Sequence, residues 1–117
     1  MNWMLLVLEP TGQRAARGPE EGRVAYEQML RFAEKLKSRG VLVGCNSLAA
    51  QEKGVRVAVR DGRPRLIDGP FAEAKEMVGG YFLLDCATRE EAVAIAADCP
   101  AAEWCTIEVR HVAPCYE

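Results

Sequence analysis

Histidine is nearly absent from this chain, which has one, His111, in 117 residues. A single imidazole supports no Ser-His-Asp or Cys-His arrangement, and we expect His111 to lie on the surface at a strand end. The five cysteines show no C-x-x-C spacing, so a zinc or iron site lacks ligands at suitable spacing. No G-x-G-x-x-G or other phosphate-cradling loop occurs. The sequence therefore predicts neither a metal nor a cofactor.

Long apolar runs and basic clusters are also missing. No segment approaches the ~20 apolar residues that span a bilayer, and the apolar run at the N-terminus is too short for a secretory signal. The 15 basic and 17 acidic side chains nearly balance and form no basic stripe. We therefore expect no membrane and no nucleic-acid partner. A cytoplasmic protein with reduced thiols is predicted, in which Cys115 is the thiol most open to oxidation.

Strand and helix patterns follow one another along the chain. Strands are predicted at Leu5–Glu9, Val41–Leu48, Val55–Arg60, Arg63–Ile67, Gly80–Cys86 and Trp104–Val112. A long helix begins at Gly18-Pro19, where proline suits the first helical position, and ends at Gly40. Thr88 and Glu91 form a capping box that opens a second, shorter helix ending at Pro100.

The pair Asp61-Gly62 predicts a tight hairpin between the third and fourth of these strands. Without the hairpin, the order is strand, helix, strand, strand, helix, strand. This order predicts an α+β fold in one domain over residues 1–117. We expect a ferredoxin-like antiparallel sheet with two helices on one face and an inserted β-hairpin.

Both faces of the predicted sheet are apolar. In the first strand Met4, Leu6 and Leu8 alternate with Leu5 and Val7. A sheet with helices on one side is expected to be polar on the other, and the pattern provides no further helix to cover this side. We therefore expect a homodimer whose sheets face each other as a dimeric α+β barrel, burying on the order of 2,000 Å² or more.

Two regions carry the side chains that could perform chemistry. In the last strand, Trp104, Thr106, Glu108 and Arg110 share one parity and should point into the space between the facing sheets. Glu108 and Arg110 either form a structural ion pair there or leave Arg110 to bind an anion.

The second region runs from Asp68 to Gly80. Asp68 either caps a turn or acts as a general base or ligand acceptor. Glu73, Lys75 and Glu76 either form a solvated turn or hold a polar substrate. Gly79-Gly80 serves a strand bulge or a ligand. The candidate catalytic residues are Asp68, Glu73 and Lys75, and the candidate ligand-binding residues are Phe71, Glu76, Tyr81, Glu108 and Arg110. Six arginines are expected on solvated edges and loops: Arg14, Arg17, Arg56, Arg60, Arg63 and Arg65.

The same region carries a family resemblance. The segments Asp68-Gly69-Pro70-Phe71, Glu73-x-Lys75-Glu76 and Gly79-Gly80-Tyr81 resemble those of DGPF-domain proteins of the YCII-related family. The resemblance implies a dimeric α+β barrel and an association with extracytoplasmic-function sigma factors. Some relatives look like lyases with a His-Asp dyad, but this chain has no histidine around Tyr26 to Gln28, where that histidine would lie.

Three functions are open on these grounds. The preferred one is a small-molecule binding or sensing protein that holds its ligand between the two facing sheets, because an apolar cavity with few polar groups and no nucleophile suits binding. The alternative is a cofactor-free lyase or isomerase, in which Asp68 or Glu73 abstracts a proton and Arg110 or Lys75 stabilises the oxyanion. The third is an interaction module that binds a sigma factor.

Overall fold

The computed structural model describes all residues from Met1 to Glu117. Its strands are β1 (Asn2–Pro10), β2 (Leu42–Ser47), β3 (Val55–Arg60), β4 (Arg63–Asp68), β5 (Glu76–Asp85) and β6 (Thr106–His111). Its helices are α1 (Gln13–Ala16), α2 (Pro19–Ser38) and α3 (Arg89–Asp98), with two 3-10 turns at Gln51–Lys53 and Pro100–Glu103.

Four strands form the main sheet in the order β2-β5-β1-β6, and every neighbouring pair is antiparallel. Strands β3 and β4 form a separate two-stranded sheet. With this hairpin set aside, the strand order is that of a ferredoxin-like fold, in which two strand–helix–strand units place their first strands side by side. The predicted α+β fold class is confirmed.

Local chemistry explains where the helices begin and end. Pro19 occupies the first turn of α2, and Gly40, with φ of 73°, follows its C-terminus in the left-handed region. At the start of α3 the Thr88 Oγ1 accepts a hydrogen bond from the Glu91 N–H at 3.1 Å, and the Glu91 carboxylate accepts one from the Ala87 N–H at 3.1 Å. The Thr88 half of the predicted capping box is therefore confirmed, whereas the Glu91 carboxylate binds the N–H one residue before the N-cap. The short α1 lies between the first predicted strand and the first predicted helix, where the sequence predicted no regular element.

The core lies between the helices and one face of the main sheet. Leu5 and Leu84 are completely buried on the two central strands. Phe32 of α2 meets Phe82 of β5 edge to face, with 5.3 Å between the ring centroids, a favourable aromatic geometry. Packing of α2 and α3 against this face fixes which side of each strand is buried.

The opposite face of the sheet carries a second set of apolar side chains. Met4, Leu6, Leu8 and Leu83 are half-buried and alternate along β1 and β5 with the core residues. None of them belongs to the core cluster or packs against it. We call these four side chains the open face. Within one chain no helix covers them, so the observation that motivated a homodimer holds, and the dimer itself stays a prediction.

The β3–β4 hairpin turns at Asp61 and Gly62, whose φ values of 52° and 74° fit the tight turn that the sequence predicted. Most of its side chains are exposed, including the cross-strand pair Val57 and Leu66. At its base a Cβ on Gly69 would lie 1.8 Å from the Gln51 carbonyl oxygen, so only glycine fits there. The hairpin therefore rests on a close backbone contact rather than on a core of its own.

Candidate functional site

A cavity of about 430 Å³ lies between α2 and the helix-facing side of the main sheet. One wall is the apolar stripe of α2, formed by Ala25, Met29 and Ala33. The sheet contributes Val7 and Phe82 to the opposite wall. Its volume falls within the roughly 300–1,000 Å³ typical of small-molecule sites, and most of its lining is apolar.

A partly buried ion pair borders this cavity. Glu9, the last inward-facing residue of β1, is 9% exposed, and the Arg14 guanidinium of α1 binds both of its carboxylate oxygens at 2.9 and 2.7 Å. Arg14 also donates to the carbonyl oxygens of Leu48 at 2.8 Å and Gly79 at 3.3 Å. This fork geometry neutralises the buried carboxylate and connects the end of β1, the residue after β2 and the interior of β5.

The pair Gly79-Gly80 makes room for that arrangement. A Cβ on Gly79 would lie 1.9 Å from the Glu9 Oε1, and one on Gly80 would lie 2.8 Å from the Asn46 carbonyl oxygen. The β1–β5 register shifts between Val7 and Leu8 opposite this pair. Of the two roles considered from the sequence, the strand bulge is the one observed, because a bulge brings backbone and carboxylate together.

Cys105 is the thiol of greatest interest in the cavity lining. Its Sγ lies 3.4 Å from the Gln13 Oε1. Burial, reinforced by the nearby Glu9 carboxylate, raises the pKa of Cys105 from 9.0 to about 11. Burial also raises the pKa of Cys86 and Cys99. The Cys105 thiol is therefore protonated at neutral pH and is a poor nucleophile.

This pKa predicts a loss of stability in alkaline solution. Between pH 9 and 11 the folded state keeps the Cys105 proton while the unfolded chain releases it, so the free energy of unfolding must fall as the pH rises. Urea unfolding at pH 8 and 10.5 would measure the fall. It should be smaller in Cys105→Ala and unchanged in Cys115→Ala, whose side chain is exposed. An equal fall in all three proteins would contradict the prediction.

The three candidate catalytic residues do not line the cavity. Asp68 ends β4, and Glu73 and Lys75 lie in the connection that leads to β5; all three are exposed. The Lys75 backbone carbonyl accepts a hydrogen bond from the Thr11 N–H at 2.9 Å, so this connection is attached to the body of the sheet. The structure does not bring the three side chains together around the cavity, and their catalytic role stays a prediction.

The candidate ligand-binding residues are divided among several places. Phe71 packs at the base of the hairpin, with the Arg56 guanidinium 3.8 Å from its ring centroid. Glu76 begins β5 and is exposed. Tyr81 is the one residue of the set at the cavity, but it pairs with Leu6 of the open face, so its side chain lies on the side of the sheet away from α2. There its hydroxyl accepts a hydrogen bond from the Asn46 side chain at 2.9 Å.

Glu108 and Arg110 form the ion pair that the parity of the last strand indicated. Their side chains lie on the face of β6 away from the core, and the Arg110 Nη1 is 3.2 Å from a Glu108 carboxylate oxygen. Ile107 and Val109 pack against the core, as expected. A structural ion pair is thus present, and use of Arg110 for an anion stays a prediction.

Two expectations are wrong. Trp104 lines the cavity and packs against the core rather than entering the space between facing sheets. Its backbone (φ −125°, ψ −3°) is not extended, because it ends the Pro100–Glu103 turn before β6 begins, so strand parity does not apply to it. Arg14 and Arg17 were expected in solvent but line the cavity. Their positions depend on α1, which no periodic pattern in the sequence announced.

No group of three or more His, Cys, Asp and Glu side chains is arranged to hold a metal ion. The helices are all too short or too polar to cross a membrane.

These features define a class of protein: a ferredoxin-like α+β fold with a small-molecule-sized cavity between its long helix and its sheet. The chain belongs to the family of the YCII-related domain, which matches residues 1–115. It is also similar to an uncharacterized protein from Rhizobium meliloti (strain 1021), with 49% identity over 37 residues. That match covers 32% of this chain and 30% of the other protein's length.

Proposed function

We propose that this protein binds a small molecule in the cavity between α2 and the main sheet. The observation that carries the proposal is a cavity of about 430 Å³ whose walls are mostly apolar and which a partly buried, hydrogen-bonded ion pair borders. Pockets of this kind, with few fixed polar groups, hold small ligands. The sequence led us to expect the ligand between two facing sheets instead, and the helix-facing cavity is the better-supported site.

Binding is favoured over catalysis by the state of two reactive groups in the lining, Glu9 and Cys105. Both oxygens of the Glu9 carboxylate are held by Arg14, which leaves it poorly suited to abstract a proton. The Cys105 pKa of about 11 keeps that thiol neutral. The other charged side chain of the lining, Arg17, is a donor only. The alternative lyase or isomerase would need Asp68 or Glu73, which lie outside the cavity.

Trp104 provides a direct assay of occupancy. The chain has two tryptophans, and Trp3, whose ring contacts that of His111 with 4.7 Å between ring centroids, does not line the cavity. In a Trp3→Phe background, the fluorescence of Trp104 should change when a compound from a panel of small organic molecules enters, and the same compound should raise the melting temperature. The compound should be recovered unchanged.

Filling the cavity should abolish this binding. In Ala25→Phe, an aromatic ring replaces a methyl group on the α2 wall, so the fluorescence change should be lost while the protein stays folded. Ala97→Phe, on the exposed side of α3, is the matched control and should bind like the parent. Ligand binding that survives Ala25→Phe at undiminished affinity would contradict the proposed site, and chemical conversion of the ligand would contradict a pure binding function.

We also propose that the protein acts as a homodimer through its open face, in the cytoplasm. Four half-buried apolar side chains without a covering element support the dimer, and five free cysteines fit a reducing compartment. The sigma-factor partner implied by the family resemblance stays a prediction, which co-purification of the two proteins would test.

A further inference from the structure

We propose that the ligand of this cavity is an anion with an apolar body, and that its negative group binds Arg17. The inference rests on the proposed function and adds the chemical class of the ligand. It follows from the charge of the lining. Glu9, Arg14 and Arg17 are the charged residues among the side chains that surround the cavity. Glu9 and Arg14 neutralise each other, so the lining keeps one positive charge, on Arg17.

Most N–H donors of the Arg17 guanidinium make no hydrogen bond within the protein. Its Nη2 makes one long hydrogen bond, 3.5 Å, to the Gln13 Oε1, out of five N–H donors that the group carries. It lies 5.9 Å from the centroid of the Trp104 ring, a cation–π distance that holds the side chain at the cavity. A half-buried arginine with unused donors is suited to a carboxylate or phosphate, which accepts two parallel hydrogen bonds.

Neighbouring carboxylates do not satisfy this arginine. Glu20 and Glu21 of the first turn of α2 lie near it, but none of the ion pairs within 4.0 Å includes Arg17. Glu20 is instead bound by Arg23, which also binds Glu27. The positive charge of Arg17 is therefore available to a ligand.

The rest of the cavity is suited to an apolar body. From Gly22 to Ala33 the lining follows one stripe of α2, a length of about 16 Å at 1.5 Å per residue. Arg17 precedes the start of this stripe, while Ala25, Met29 and Ala33 continue it toward the far end. A ligand with its charge at one end and a hydrocarbon body at the other would match both parts. An apolar carboxylic acid is the simplest molecule of this kind.

The test uses a matched set of probes on the full-length Trp3→Phe protein. Octanoate, octyl phosphate and the neutral octanamide are titrated, with Trp104 fluorescence and melting temperature as readouts. We expect octanoate to bind roughly 10- to 100-fold more tightly than octanamide, because a hydrogen-bonded charge contributes about 1.5–3 kcal/mol. Comparison with octyl phosphate shows whether the site prefers a carboxylate or a phosphate, and preference for either anion over the amide supports the inference.

Arg17→Met should remove the preference for the anion while leaving octanamide binding nearly unchanged. Arg17→Lys should retain part of the preference for the anion. Arg23→Met, at an exposed position, should retain all of that preference. Equal affinity for octanoate and octanamide, or a preference that survives in Arg17→Met, would overturn the inference. In that case binding of the amide, blocked by Ala25→Phe, would still support the cavity as a ligand site. Failure of every compound, those of the broader panel included, to bind would overturn both proposals.

Discussion

Arg14→Met is expected to lower the free energy of unfolding by about 3 kcal/mol, because it leaves a buried carboxylate without its partner. The Glu9 side chain is 12% exposed and takes two hydrogen bonds from Arg14. Methionine keeps much of the aliphatic volume of arginine and none of its charge. The same substitution removes the two donors that hold the Leu48 and Gly79 carbonyls. Urea unfolding of the variant and the parent would measure the loss.

Arg23→Met is the matched control. Arg23 forms ion pairs with Glu20 and Glu27 on the surface of α2, where its side chain is 56% exposed, and pairs of that kind contribute about 0–1 kcal/mol. In the double variant Glu9→Gln, Arg14→Met, part of the stability should return, since no buried charge is left unpaired. A loss below 1 kcal/mol in Arg14→Met would show that Glu9 does not depend on this contact.

Leu6→Glu should convert the proposed dimer into a monomer. Leu6 lies on the central strand β1 within the open face, opposite Tyr81 of β5 and Glu108 of β6. In a twofold dimer one substitution changes the interface twice. Losing two buried leucines, at about 1.5–3 kcal/mol each, should weaken association by at least about 100-fold before the cost of placing carboxylates in an apolar interface is added.

Light scattering across a concentration series would report the change in mass. Val93→Glu provides the control, because Val93 is 41% exposed on α3, which packs on the other side of the sheet. This variant should stay dimeric. A parent protein that is monomeric at micromolar concentration would refute the open-face dimer, and so would a Leu6→Glu variant that remains fully dimeric.

The fold could be predicted from sequence because the residues that begin and end its helices and turns act locally. The Thr88 cap, the Gly40 stop and the Asp61-Gly62 turn each depend on the conformational preferences of a few neighbouring residues. Along β1, alternate side chains point to opposite sides of the sheet, which distinguished the core residues from those of the open face. The predicted ends of strands were less accurate. The strand β5 begins at Glu76, inside the segment that the sequence analysis considered as a solvated turn. The prediction started it later, at Gly80, because polar residues at a strand end carry no periodic signal.

The site was harder to predict because its parts come together only through tertiary structure. A signal was present in the parity of β1, which puts Glu9 on the same side as Leu5 and Val7 and so requires a partner for a buried charge. Identifying Arg14 as that partner needs the position of α1, which is too short to produce a helical pattern. The conspicuous Asp68-Gly69-Pro70-Phe71 motif drew attention instead, and its observed contacts are at the base of the hairpin.

That hairpin joins β2 to β5 where a short turn would be enough, and it shares no ladder of hydrogen bonds with the main sheet. Because its strands pair only with each other, the hairpin can lengthen, shorten or change its surface during evolution while the main sheet stays the same. Variation among relatives should therefore accumulate beyond the Gly69 contact, and new binding partners could be acquired there without disturbing the cavity.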